Sequence, residues 1–170
     1  MPSTQRWNHV NYAVAPARVG RIEECIDSIF GWEKFVSKPS LVAYRLGEEA
    51  DAAALYLRPV PAADALADAI ERIRSSDAVL GDALDGLERL PGDWADHTGF
   101  LTPSLEEWEE RLARARDFAR ARPELRVAVV DVLRPGDGRA QTDYLYQAFI
   151  RLGLLGPWRN TFEMQAIRRP

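Results

Sequence analysis

The chain has 170 residues, 46% of them hydrophobic and 28% charged, with a formal net charge of -4. This composition suits one globular domain, or two small modules sharing a core, and its mild acidity gives no general reason to bind nucleic acid or an anionic membrane. A single cysteine, Cys25, excludes an intrachain disulfide and makes the cytoplasm the expected location; no run approaches the ~18 apolar residues of a membrane span, and Met1 to Arg6 lack the apolar core of a signal peptide.

Residues 9–15 alternate and are rich in β-formers, which predicts a strand. Val10, Tyr12 and Val14 share one face of it, and His9, Asn11 and Ala13 the other. Pro16 ends the strand. Residues 19–30 carry Val19, Ile22, Ile26 and Ile29 at helical spacing, with Cys25 as a small core residue and Gly31 as a stop. Three strands follow at 32–36, 41–46 and 53–60, separated by Pro39 and the turn at 47–51. Residues 61–92 break this pattern. They predict two short helices, at 64–74 and 77–90, bracketed by Pro61 and by Pro91-Gly92. This segment reads as a connector with one end of the sheet to cover.

The first pattern then returns. Residues 97–102 predict a strand ended by Pro103. Ser104 is an N-cap candidate, with Glu107 three residues on as its capping-box partner. The helix it opens runs to about Ala121 and pairs Glu107 with Arg111 and Glu110 with Arg114 at i, i+4. Strands follow at 126–133, 143–152 and 161–168, with a turn at Pro135 to Gly138. The expected class is α+β: two βαβββ modules in tandem, residues 1–60 and 93–170, forming a concave mixed sheet, with a helical connector at 61–92, as one structural domain. Repetition of this kind carries more weight than any single strand.

His9 and His97 are the only histidines, and each opens the first strand of a module. Imidazole is the commonest metal ligand, so the repeat suggests halves that bring two imidazoles together. On the last strand Thr161, Glu163 and Gln165 share a face opposite Phe162, Met164 and Ala166. A carboxylate in mid-strand is costly unless solvated or paired, so Glu163 wants a partner: a metal, or an arginine such as Arg58 or Arg159. On the strand at 53–60, Tyr56 and Arg58 oppose Leu55 and Leu57. Trp7 and Trp94 precede the two histidine strands and read as packing residues.

The module order, the strand openings Asn8-His9-Val10-Asn11-Tyr12-Ala13-Val14 and Asp96-His97-Thr98-Gly99-Phe100, and the closing Gly156-Pro157-Trp158-Arg159-Asn160-Thr161-Phe162-Glu163-Met164 resemble the vicinal oxygen chelate superfamily. That superfamily includes glyoxalase I, methylmalonyl-CoA epimerase, type I extradiol dioxygenases, and fosfomycin and bleomycin resistance proteins. The resemblance spans nearly all of the chain except residues 61–92. It implies metal ligands at His9, His97 and Glu163. Glyoxalases and epimerases take a fourth ligand from the fourth strand; here the nearest inward residue is Tyr56, and no Glu, Gln or His is present.

A site of two His and one carboxylate with open positions suits Fe2+, the preferred ion, and also Zn2+ or Mn2+. The expectation is therefore a small metal-dependent enzyme, oxygenase-like or lyase-like, acting on a small substrate with two adjacent oxygens. Asn11, Tyr56, Arg58 and Gln165 are the candidate substrate contacts. The acid–base residue is unassigned, with Tyr56, Tyr144 and Tyr146 suitable in kind. The alternative is a non-catalytic drug-binding protein of the same fold, and a weaker third reading is a structural or regulatory protein retaining relics of a site. The partner expected is a small molecule, with no nucleic acid and no membrane; a homodimer is among the arrangements the resemblance allows.

Overall fold

The computed structural model describes residues 9–47, 52–140, 142–156 and 160–168. Trp7, Asn8, Pro157, Trp158 and Arg159, and most of the turn expected at 47–51, lie outside the described residues.

The first module comprises β1 (His9–Val14), α1 (Val19–Ile29), β2 (Glu33–Lys38), β3 (Leu41–Arg45) and β4 (Ala54–Pro59). Two helices follow, α2 (Pro61–Ser76) and α3 (Ala78–Glu88). The second module comprises β5 (His97–Leu101), α4 (Leu105–Ala121), β6 (Val127–Leu133), β7 (Leu145–Leu152) and β8 (Thr161–Ile167). The chain is thus α+β with two βαβββ units in tandem, as its sequence predicts.

Each module builds its own four-stranded mixed sheet, in the orders β1-β4-β3-β2 and β5-β8-β7-β6. The first strand of each pairs parallel with the last, and the other neighbours are antiparallel. The duplication reaches the irregularities. The register slips at Phe35 in β2 and at Val130 in β6, the matching edge strands, where a bulge sharpens the local twist. The sheet is therefore two ladders with β1 and β5 as end strands. Tyr12 Oη and Thr98 Oγ1 meet at 3.1 Å between those two strands.

The core follows from the strand alternation. Leu55, Leu57, Ile150, Phe162 and Met164 face the helices, where they meet Ile22, Ile26 and Ile29 of α1 and Trp108 and Leu112 of α4. Each buried aliphatic or aromatic side chain of this size contributes about 1.5–3 kcal/mol. Cys25 lies in the same core, and burial pushes its thiol pKa up to about 12, so it packs as a hydrophobe. Trp108 Nε1 donates to the Met164 carbonyl at 2.8 Å and pins α4 to β8. Gly31, at φ 63°, ends the turn after α1 in the left-handed region that favours glycine. Ser104 Oγ accepts from the Glu107 amide at 3.1 Å and caps α4, while the Glu107 carboxylate pairs with Arg111.

α2 is longer than its apolar pattern suggests. Pro61 is tolerated in its first turn, and the Ser75 and Ser76 hydroxyls donate back to the Glu71 and Arg72 carbonyls, extending the far end. α3 opens on Asp77, whose carboxylate accepts from the Leu80 amide at 3.0 Å. The segment after α3 then seats on the second sheet. Arg151 of β7 donates to the Glu88 and Leu90 carbonyls, and the Gly92 amide donates to Asp131 at 2.6 Å. A Cβ at position 92 would lie 2.3 Å from Phe149, so only glycine allows this approach. Trp94 does not pack as expected. It is 74% exposed, because the turn beginning at Pro91 carries it away from the sheet.

Candidate functional site

The second module assembles a compact polar cluster on the sheet face away from the helices. In the parallel ladder of β5 and β8, His97 lies opposite Thr161 and Gly99 opposite Glu163. His97 therefore reaches Glu163 on the diagonal, with Nε2 3.2 Å from Oε2. The other carboxylate oxygen accepts two amide donors, Gln147 Nε2 at 2.6 Å and Gln165 Nε2 at 2.7 Å. Glu163 is only 4% exposed, whereas the His97 side chain keeps 30% of its surface open. The carboxylate is thus held from the buried side and is approached from the solvent side through the imidazole. Gly99 has no side chain to crowd this opening: a Cβ there would stand 3.2 Å from Glu163 Oε2.

His97 Nδ1 lies 2.8 Å from the Ala95 carbonyl oxygen. A carbonyl only accepts, so Nδ1 carries the proton, and in the neutral ring Nε2 turns its lone pair toward Glu163. Two acceptors then face each other at 3.2 Å. Such a contact is favourable only with a cation shared between them, either an imidazolium proton or a metal ion. Gln147 adds a second open valence: its Oε1 is buried with no donor among the described residues.

The first module holds the same framework with different chemistry. Asn11 lies opposite Tyr56, so Tyr56 stands where Glu163 stands in the second module. His9 stacks on the Tyr56 ring, with centroids 5.0 Å apart and 22° between planes. Arg58 Nε donates to Asn11 Oδ1 at 3.1 Å. Of the residues singled out in the sequence, His97, Glu163 and Gln165 come together. His9, Asn11, Tyr56 and Arg58 form a separate group on the first sheet. The arginine partner considered for Glu163 does not form at Arg58, which turns to Asn11 instead; Arg159 lies outside the described residues. Tyr146 is not on this face. It packs under α4, edge-on to Trp108, because its place in the β7 alternation is opposite to that of Gln147 and Phe149.

Gln147 is the residue that sequence reasoning missed. Within the alternating strand at 143–152 a lone Gln reads as one more solvated position. It is only 3% exposed and its amide is spent on Glu163, and Phe149, its neighbour on the same face of β7, is covered by the residues after α3.

No protein-family model and no curated protein matches the chain. Among solved structures, it is similar to a glyoxalase/bleomycin resistance protein/dioxygenase from Alicyclobacillus acidocaldarius, with a TM-score of 0.53 and 10% identity, covering 99% of this chain and 96% of that one. It is also similar to a protein from the mobile metagenome of V. Pseudocholerae, with a TM-score of 0.50 and 10% identity, covering 99% of each chain. The chain has the vicinal oxygen chelate fold. At this identity the likeness is one of architecture, and the chemistry must be argued from the side chains present.

The next question is whether these side chains fit a metal ion. Bonds of about 2.1 Å from one ion to a nitrogen and an oxygen 3.2 Å apart meet at an angle of about 100°, which suits adjacent ligands. His97 and Glu163 therefore fit as a pair. His9 is not gathered with them: it lies on the other sheet against Tyr56, and among the described residues no group of three His, Cys, Asp or Glu is close enough to hold an ion. No helix among the described residues is long and apolar enough to cross a membrane.

Proposed function

We propose that the chain is a small metal-dependent enzyme of the vicinal oxygen chelate type, oxygenase-like or lyase-like, with its chemistry in the second module. The observation that carries this reading is the His97–Glu163 contact, 3.2 Å long, between an imidazole fixed by a backbone carbonyl and a carboxylate fixed by two amides. Fe2+ suits this nitrogen and oxygen donor set, as do Zn2+ and Mn2+. When bound, such an ion supplies Lewis acidity to a substrate with two adjacent oxygens.

The chain's own residues have distinct tasks in this scheme. Gln147 and Gln165 occupy Glu163 Oε1 and so direct Oε2 outward. The Ala95 carbonyl holds the His97 ring with Nε2 on the same side. Gly99 keeps the space beside Oε2 open for a small substrate. A protein that only sequestered a drug would have no use for a buried carboxylate held in this way. Positions beyond His97 and Glu163 are left to water and substrate, with His9 the nearest candidate in kind from the first module.

The test is anaerobic reconstitution with Fe(II), followed by optical spectroscopy with a panel of catechols, keto acids and thioesters. The reading expects a spectral change with one of these classes that disappears in Glu163→Gln. A panel with no response from the loaded protein contradicts it.

A further inference from the structure

The apolar stripe of α2 does not close down on the sheet. Ala63, Leu66, Ala67 and Ile70 fall at i, i+3, i+4 and i+7 and share one helix face. All four line a cavity of about 350 Å³, whose opposite wall includes Ala13 and Val14 of β1 and Leu154 and Leu155 after β7. Protein interiors are normally filled to the density of organic crystals, and Leu66 is still 54% exposed. An apolar face over an open volume is unfavourable until something fills it. The volume falls within the ~300–1,000 Å³ range of small-molecule sites.

Charge supplies the second constraint. Arg18, Arg74, Arg126, Glu71 and Glu88 border the cavity, three cations against two carboxylates. Arg74 and Arg126 both reach Glu88, at 2.8 and 3.2 Å, and Arg126 also reaches Glu71 at 3.5 Å. Both carboxylates are therefore engaged. The Arg18 guanidinium has no hydrogen-bond or ion-pair partner among the described residues. Neither His97 nor Glu163 lines this space.

We infer that the cavity under α2 is a second binding site, taking a small monoanion with a hydrocarbon or aromatic body. The body lies against Leu66, Ala67 and Ile70, and the acid group meets Arg18. The site belongs to the connector, and it is independent of the His97–Glu163 pair and of any metal held there.

The test is calorimetric titration of the full chain in EDTA with decanoate, decanol and decyltrimethylammonium. The chelator separates this site from metal chemistry, so its failure says nothing about His97 and Glu163. Expected are one saturable decanoate per chain and affinity falling from decanoate to decanol to the cationic probe. Ala67→Phe, which fills the cavity, should abolish binding. Arg18→Glu, on a surface turn, should weaken decanoate by roughly tenfold while leaving decanol unchanged; this variant serves even where Ala67→Phe fails to fold. Equal affinity for all three probes, insensitivity to Arg18→Glu, binding retained in folded Ala67→Phe, or no saturable binding below the micelle limit would overturn the inference.

Discussion

Glu163 gives one oxygen to two amides and the other to an imidazole, so what replaces it decides what is lost. In Glu163→Gln the new amide oxygen still accepts from Gln147 and Gln165, and the new amide nitrogen can donate to His97 Nε2. Its thermal midpoint should stay close to that of the parent while metal binding is lost. Glu163→Ala leaves buried donors without partners, at about 1–3 kcal/mol each, and should lower stability measurably in urea. Gly99→Ala should leave the fold intact but weaken metal affinity, because the added methyl stands 3.2 Å from Oε2; competition with a chromogenic chelator reads this directly. At this scale the sequence was informative where a residue type carries its own chemistry. His97 and Glu163 could be picked out by type and strand parity. Gln147 could not, since its meeting with Glu163 depends on the pairing of β7 with β8. The stacking of His9 on Tyr56 was equally hidden, because it depends on the register of β1 against β4.

Among the elements, the stretch from α3 to β5 matters most for the site, because it covers Phe149 and leads directly into His97. Arg151 on the Glu88 and Leu90 carbonyls, Gly92 against Phe149, the Gly92 amide on Asp131 and the Arg139–Asp93 pair all hold it. Gly92→Ala should destabilise the chain by about 1–3 kcal/mol through overpacking, with a matching rise in amide exchange over residues 88–96. Burial acts to raise the Asp131 pKa, but the Arg139 guanidinium and the Gly92 amide outweigh it and the net shift is downward. A carboxylate with a lowered folded pKa stabilises above its unfolded value, about 3.9, and that contribution is lost as pH falls through the folded value. The urea midpoint should therefore drop on acidification below pH ~4, and by less in Asp131→Asn. Helix termini were readable where a side chain makes them, as at Ser104. The ends of α2 were not, because its apolar pattern stops before its backbone does.

For the molecule as a whole, duplication is the organising fact. Strand order, parallel closing pair and edge bulge recur in both halves, and this repetition is what made the architecture legible in one sequence. The division into two ladders was not legible, because nothing in either strand pattern says whether β1 and β5 pair. That division has a chemical outcome: each histidine meets a residue of its own sheet, a tyrosine in the first half and a carboxylate in the second. The central claim is that the second half alone forms a metal-binding pair. Elemental analysis of protein purified without chelator and then loaded anaerobically with Fe(II) tests it most directly. The account predicts one ion per chain in the parent and none in a folded Glu163→Gln variant; no ion in the parent, or equal loading of both, would contradict it.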